Sequence, residues 1–191
     1  MATTGRRLLR LWRLCAPIPG GWWVFQRLFA WTVPYSASTA PRVRVLEPGH
    51  AEVEIPDRRA NRQHLGSVHA IALLNVAEMA SGLAMVSGLP DGVRSIVREI
   101  RMEYLKKARG TIRAVSRVTI PAVTGDVDHE VTADCLDTSG AVVARATVSW
   151  RLGLAPGQPP TGPGSPTAEP PPPGARCWGR RSPGRAASRS H

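Results

Sequence analysis

Apolar residues occupy almost every position from 70 to 86, and this stretch predicts a helix that is buried on all sides. Only Asn75, Glu78 and Ser81 carry polar side chains there. A surface helix keeps one polar face, so a helix without such a face belongs inside a folded domain. A carboxylate inside a domain costs free energy unless it is paired, protonated or used. Glu78 is therefore the first candidate functional residue.

Alternating apolar and polar residues before and after this helix predict β-strands with one dry face. Residues 43–45 and 53–55 alternate on either side of a Glu47-Pro48-Gly49 turn. The alternation returns at 99–104, 112–120, 127–135 and 142–150, with a turn at 137–140. Such runs are typical of half-buried antiparallel strands. They predict an α+β fold in which a curved antiparallel sheet of five to six strands wraps around one long buried helix.

The first 34 residues predict an N-terminal helical segment. Residues 6–15 form one helix with two faces: an apolar face of Leu8, Leu11, Trp12 and Cys15, and a basic face of Arg6, Arg10 and Arg13. A second apolar stripe follows the Pro-Gly break, formed by Trp22, Phe25 and Phe29. We favour a cap that packs over the core. Two other interpretations stay open: a weak contact of residues 6–29 with a membrane surface, and an arginine-rich, acid-free organelle presequence.

Composition changes abruptly at the C-terminal end. Residues 153–191 contain ten prolines and seven glycines, including Pro170 to Pro173. A segment so poor in aliphatic side chains cannot offset the entropy cost of ordering, which predicts disorder. The predicted organisation is residues 1–34 as a helical segment, 35–152 as the globular domain and 153–191 as a disordered tail.

The positive charge of the chain lies mostly at its ends. Residues 1–41 contain five arginines and no acid, and residues 153–191 contain five arginines and one acid, whereas residues 42–152 contain 15 basic and 13 acidic residues. A nearly neutral domain does not predict nucleic-acid binding. The longest uninterrupted apolar runs fall short of the roughly 20 residues of a membrane span.

The three cysteines, Cys15, Cys135 and Cys177, are far apart and form no CxxC motif. This spacing favours neither a disulfide framework nor a metal site, and it suits a reducing compartment. We expect a cytoplasmic protein, or a mitochondrial matrix protein if the N-terminal segment is a presequence.

Before the buried helix stands a polar segment, residues 63–71, which carries His64, Gly66 and His69. This segment resembles the hotdog-fold thioesterase superfamily. Its phenylacetate-degradation (PaaI-type) branch and an allied uncharacterised group carry Asn-x-x-Gly-x-x-His-Gly-Gly, with an acidic residue nine positions past the histidine. Here the matching run is residues 63–71, QHLGSVHAI, with Gln63 in place of asparagine and Glu78 nine residues past His69. Residues 103–110, EYLKKARG, resemble the family's next characteristic segment.

The resemblance implies hydrolysis of an acyl-CoA or related thioester, without a cofactor other than the coenzyme A of the substrate. Glu78 would act as general base or nucleophile, with His69 and Gln63 positioning the thioester or water. The start of the helix at His69–Ala70 would form an oxyanion hole, and Ala70, Gly66 and Ser67 would together bind the oxyanion or the substrate. The phosphates of coenzyme A would meet basic residues at the pocket mouth, namely Lys106, Lys107 and Arg109. From the residues alone, Ser67 is better explained as the cap of the helix.

The spacing of His69 and Glu78 bears on assembly. Nine residues of helix are about two and a half turns, so the two side chains point to opposite sides and about 13 Å apart along the axis. A homodimer, alone or paired into a dimer of dimers, could join the His69 end of one helix to Glu78 of the other. The main alternative keeps the fold without the reaction: a hotdog protein that binds acyl groups or serves as a scaffold.

Overall fold

Three short N-terminal helices, a six-stranded sheet and one long helix make up the part of the chain that the structure describes. A computed structural model describes residues 4–155. The elements are, in chain order, α1 (Thr4–Cys15), α2 (Gly21–Thr32), α3 (Pro34–Ala37), β1 (Arg42–Glu47), β2 (His50–Ile55), a 3-10 turn (Arg59–Asn61), α4 (Ala70–Gly88), β3 (Val93–Tyr104), β4 (Ile112–Arg117), β5 (Val127–Leu136) and β6 (Val142–Leu154).

The sheet is antiparallel throughout, in the order β1-β2-β4-β5-β6-β3. It curves around α4, whose side chains pack against the inward-facing residues of the strands. Val76, Ala80, Ala84 and Met85 of this helix are fully buried. The predicted α+β hotdog fold, with a curved sheet wrapped around one long buried helix, is confirmed, and the number of strands is six.

Two strands differ in extent from their sequence patterns. β3 begins at Val93, six residues before the predicted segment. The prediction missed this first part because a bulge between Val97 and Glu99 breaks the alternation of the strand. A bulge of this kind shifts the side chains that follow it to the opposite face, so one period cannot fit the whole strand. β4 ends at Arg117 although the alternation continues to residue 120.

The N-terminal helices form the predicted cap over α4. Phe25 is fully buried and its ring meets that of Trp12 edge-on at 5.0 Å. Two details of the predicted faces are wrong. Trp22 lies 39% exposed beneath the Arg42 guanidinium instead of joining the inner stripe, and the most buried leucine of α1 is Leu9, which the predicted stripe leaves out.

α4 has the length and apolar composition of a membrane-spanning helix, and it is the one such helix within residues 4–155. Two-thirds of it is buried in the sheet, as expected for the central helix of a globular domain. β6 continues to Leu154, two residues beyond the predicted domain boundary. The predicted disorder of the tail concerns residues that, from 156 onward, lie outside the described part of the chain, as does Cys177.

Candidate functional site

Glu78 lines an apolar cavity of about 340 Å³ between α4 and the N-terminal helices, which we call the chamber. Its walls come from α1, α2, the start of α3, one face of α4 and β6. The lining residues are Leu8, Leu11, Phe25, Leu28, Phe29, Thr32, Val33, Ser36, Glu78, Met79, Gly82, Leu83, Val86 and Trp150. A larger open groove, of about 860 Å³, lies between α1 and β1 and contains none of the predicted site residues.

The carboxylate of Glu78 has no hydrogen bond or ion pair with any residue from 4 to 155. Burial raises the pKa of this carboxyl, because the charged form loses water contacts that no cation replaces. A glutamate with a raised pKa in an apolar cavity is suited to accept a proton near neutral pH. The structure thus gives Glu78 a cleft and leaves its oxygens free.

Trp150 and Gly82 shape the chamber beside Glu78. A Cβ atom on Gly82 would lie 3.3 Å from Cη2 of Trp150 and 3.9 Å from Oε1 of Glu78, so the glycine keeps the space between them open. The indole Nε1–H of Trp150 is the one fully buried side-chain polar atom within residues 4–155 that lacks a hydrogen-bond partner. A ligand in the chamber would meet the Glu78 carboxylate and the ring of Trp150 there.

The polar loop before α4 is held by Asn61, which is buried. Its Nδ2 donates to the carbonyls of Thr39 at 2.9 Å and Pro56 at 3.0 Å, and its Oδ1 accepts from Arg58 Nε at 3.2 Å. The Asn61 carbonyl accepts the backbone N–H of His69 at 2.8 Å. These bonds fix where α4 begins.

The predicted loop residues bond mainly to one another. Gln63 Nε2 donates to Ser67 Oγ at 2.6 Å, and the Gly66 N–H donates to the Gln63 carbonyl at 3.0 Å. Gly66 has φ +72°, a left-handed conformation that glycine adopts without strain. The Gly66 amide and the Gln63 side-chain amide are therefore already occupied within the loop.

His69 is the N-cap of α4, and the prediction that Ser67 caps this helix is wrong. His69 Nδ1 accepts from the N–H of Ile71 at 3.1 Å. The N–H of His69 itself is taken by Asn61. Ala70, the first helical residue, is exposed, and its N–H has no partner in the described part of the chain. Of the predicted oxyanion residues, Ser67 is buried and Ala70 is exposed, so the Ala70 amide is open to a ligand.

The basic residues predicted to contact coenzyme A lie on the β3–β4 loop, next to the polar loop. The Val68 N–H donates to the Ala108 carbonyl at 2.9 Å and joins the two loops. Lys106 Nζ lies 3.1 Å from Asp137 Oδ2, whereas Lys107 and Arg109 are exposed. Two cations at the loop surface are free for an anion, and the third already has a carboxylate.

Within one chain the predicted residues form two separate groups. Gln63, Ser67 and Ala70 lie at the start of α4, and none of them lines the chamber. Glu78 is eight residues further along the helix, about 12 Å of rise. A substrate atom cannot contact the Ala70 amide and the Glu78 carboxylate of the same protomer together.

Several residues that shape these groups carry no sequence signal of function. Tyr104 Oη donates to the Ala70 carbonyl at 3.2 Å, which places the end of β3 beside the start of α4. From the sequence pattern, Trp150 and Gly82 are ordinary strand and helix residues, and Phe29 is a packing residue of the N-terminal cap. Among residues 4–155 no cluster of three or more His, Cys, Asp or Glu side chains could hold a metal ion.

Comparison with known proteins identifies related domains. The family model described as Domain of unknown function (DUF4442) matches residues 21–152. A structural-genomics crystal structure with no stated function is 33% identical, covers 78% of this chain and 99% of its own, and superposes with a TM-score of 0.68. A comparison of this chain with curated proteins found no match.

Two further structures bear thioesterase names. A Pseudomonas aeruginosa protein described as a probable thioesterase is 24% identical, with 68% of this chain and 93% of its own covered, at a TM-score of 0.63. A thioesterase family protein from Silicibacter pomeroyi is 23% identical, with 68% and 96% covered, at a TM-score of 0.59. At this identity the likeness shows the shared hotdog fold.

Proposed function

The chain belongs to the DUF4442 family of domains of unknown function, and we propose that it hydrolyses acyl thioesters such as acyl-CoAs. The observation that carries the proposal is the partly buried carboxylate of Glu78, which has no partner among residues 4–155 and lies on the wall of an apolar chamber. Such a chamber suits the aliphatic acyl group of a substrate, and the carboxylate provides a base where the thioester of that substrate would lie. The thioesterase names of the hotdog neighbours agree with this reaction class.

In the proposed reaction Glu78 takes a proton from a water molecule, whose oxygen attacks the thioester carbonyl carbon. The electron pair of the C=O bond moves to the oxygen, which the Ala70 N–H and the positive end of the α4 dipole stabilise. Collapse of this intermediate breaks the C–S bond. The proton on Glu78 passes to the thiolate, and the products are a carboxylic acid and a thiol. Direct attack by Glu78 would instead incorporate solvent oxygen only in a second step.

The site requires two copies of the chain, because Ala70 and Glu78 of one copy lie too far apart. The edge of β3 opposite β6 is open within the described residues. Tyr104 ties the end of this strand to Ala70, and Val97 of the strand pairs with Trp150 of the chamber wall. A two-fold pairing along β3 would bring the start of one α4 toward the partner's chamber. We propose a homodimer of this kind, which leaves assembly into a tetramer open.

The remaining predicted residues take supporting roles in the proposal. Lys107 and Arg109 would meet the phosphates of coenzyme A in this proposal, and Lys106 would first have to leave Asp137. Gln63 and Ser67 hold the loop and orient the attacking water or the carbonyl. Since Cys15 and Cys135 are free thiols, the protein suits a reducing compartment, and the cytoplasm is our expectation.

The decisive experiment compares the wild type with Glu78→Gln on a panel of acyl-CoAs of increasing chain length. Loss of a general base lowers kcat by about 10²–10⁴-fold, while a neutral isostere of the same size keeps the chamber intact. Glu78→Asp keeps the carboxylate on a shorter side chain, so its kcat should lie between those of the wild type and Glu78→Gln. Full activity of Glu78→Gln would exclude the proposed chemistry.

One observation favours a second candidate, a non-catalytic acyl-binding protein. The Gln63 amide and the His69 imidazole are both occupied by bonds within the loop, so few polar groups there are free for a substrate. The same chain-length panel separates the candidates: a binding protein would retain a fluorescent fatty acid in the chamber, and wild type and Glu78→Gln would both lack turnover.

A further inference from the structure

The outer side of α2 and the start of α3 present large apolar side chains to solvent. Trp31 is 87% exposed, Tyr35 72% and Trp23 56%. With Val24 and Leu28 they form what we call the aromatic face, comprising Trp23, Val24, Leu28, Trp31 and Tyr35. Monomeric proteins seldom expose contiguous aromatic surface of this kind unless it binds something.

Folding does not need these side chains, because α2 is anchored by its other side. Phe25 is fully buried, and the rings of Phe25 and Phe29 stack at 6.2 Å on the side facing the core. Trp23 and Trp31 lie eight residues apart, with Arg27 midway between them, so all three lie along one line of the helix. The aromatic face is therefore a second, outward-directed apolar stripe.

The N-terminal segment that carries the aromatic face has positive charges and no negative ones. Residues 1–41 contain five arginines and no acidic residue. Arg7, Arg10 and Arg13 are exposed on α1, and the Arg27 guanidinium lies 5.4 Å from the centre of the Trp23 ring. Tryptophan and tyrosine favour the boundary between water and lipid chains, and arginines beside them favour anionic headgroups.

The mouth of the chamber opens at the border of this face. Among the chamber-lining residues, Leu28 and Thr32 on α2 are exposed. Leu28 lies one turn from Val24 and three residues from Trp31, so it belongs both to the chamber wall and to the aromatic face. A surface on which α2 lies would meet the chamber opening directly.

We propose that α1 and α2 dock this protein on anionic lipid membranes, with the aromatic face in the interfacial layer and the α1 arginines against the headgroups. A helix that lies in the plane of the interface combines an apolar face with a basic flank, and both are present here. Docking in this orientation turns the chamber mouth toward the lipid, where acyl chains are held.

The test is vesicle co-sedimentation of the full chain. We expect it to bind vesicles of equal parts phosphatidylglycerol and phosphatidylcholine, and to bind phosphatidylcholine alone at least about tenfold more weakly. Added salt should weaken the binding. The Trp23→Ser/Trp31→Ser variant should lose at least about tenfold in affinity. Changing Arg7, Arg10 and Arg13 to glutamine should cost about fivefold for each arginine.

Matched variants outside the helices control for general effects. Leu105→Ser removes an exposed apolar side chain and Arg59→Gln an exposed cation, and both should bind like the wild type. Circular dichroism and thermal unfolding verify that each variant is folded. Glu78→Gln should bind vesicles normally, so failure of the hydrolysis proposal and failure of docking are separate results.

Three outcomes would overturn the docking proposal. Equal binding to neutral and anionic vesicles would show that the arginines do not select anionic lipid. No binding to either kind of vesicle would show that the arginines and the aromatic face do not form a lipid site. The third outcome has two parts: the wild type does not bind vesicles, and sedimentation velocity shows that Trp23→Ser/Trp31→Ser loses a dimer that the wild type forms. This result would assign the aromatic face to a second copy of the chain.

Discussion

Glu78 differs from the other acidic residues described in the structure because nothing neutralises it. The carboxylates of Asp57, Asp128 and Asp137 sit at the surface beside arginine, lysine or hydroxyl partners that hold their pKa values low. Glu78 has apolar neighbours, and burial moves its pKa upward. The chain therefore maintains one carboxyl at a cost in stability, which a function would explain.

That cost should appear in the pH dependence of stability. Between an unfolded-state pKa of about 4.3 and the raised folded-state pKa, the native protein binds more protons than the unfolded chain, so the free energy of unfolding falls as pH rises. Glu78→Gln lacks this titration. We expect its melting temperature to match the wild type at low pH and to exceed it increasingly toward neutral pH. If the melting temperatures of the wild type and Glu78→Gln change in parallel across the pH range, burial does not perturb the pKa of Glu78.

Ala70 permits a test of the oxyanion donor at a single atom. Proline is tolerated at the first position of a helix, and His69 has φ −67° and ψ 139°, which suit a residue before proline. Ala70→Pro deletes the free N–H and should lower kcat by about 10²-fold while stability changes by less than about 1 kcal/mol. Ala70→Gly, which keeps the amide, is the matched control. Equal kcat for both variants would remove Ala70 from the mechanism.

At the scale of elements, the chamber exists because α1 and α2 lie close to α4 without filling the space beside Glu78. Gly5 sets the approach of α1: a Cβ atom there would lie 2.0 Å from the Val86 carbonyl oxygen. Gly21 plays the same part between α2 and the end of α1, where a Cβ atom would lie 2.0 Å from the Cys15 carbonyl oxygen. Backbone atoms cannot yield as a flexible side chain can, so each glycine fixes a helix contact.

Gly5→Ala should therefore move α1 away from α4. We expect a loss of about 1–3 kcal/mol in the free energy of unfolding, together with weaker discrimination among acyl chain lengths because the chamber wall is displaced. Chemical denaturation and the acyl-CoA panel measure the two effects. Gly125→Ala is the control, since its Cβ would meet open space. Unchanged stability and chain-length preference in Gly5→Ala would show that the contact does not position α1.

At the scale of the whole molecule, the proposed chemistry depends on assembly. If each site combines the Ala70 amide of one copy with Glu78 of the other, a mixed dimer of Ala70→Pro and Glu78→Gln contains one intact site and one doubly altered site. Random mixing of the two variants should restore about a quarter of wild-type activity. No recovery would place both groups in the same chain or outside the reaction. Each variant measured alone provides the baseline.

The fold followed from local patterns in the sequence. Residues 70–86 lack a polar face, and most of the strand segments alternate, because solvent and core impose different periods on helices and strands. The limits of that reasoning show at β3, where a bulge broke the period, and at Trp22, whose environment depends on Arg42 of another element. A period describes one element and carries no information about which other element covers it.

The sequence by itself determined the buried helix, the alternating strands, the single carboxyl inside the helix and the uneven distribution of charge. Only the tertiary structure decided that α1 and α2 enclose a chamber over Glu78, that His69 caps α4, and that Trp23 and Trp31 face solvent. These features join residues far apart in the chain. They depend on how close helices approach and which hydrogen bonds form between loops, and the spacing of residues along the chain does not encode those distances.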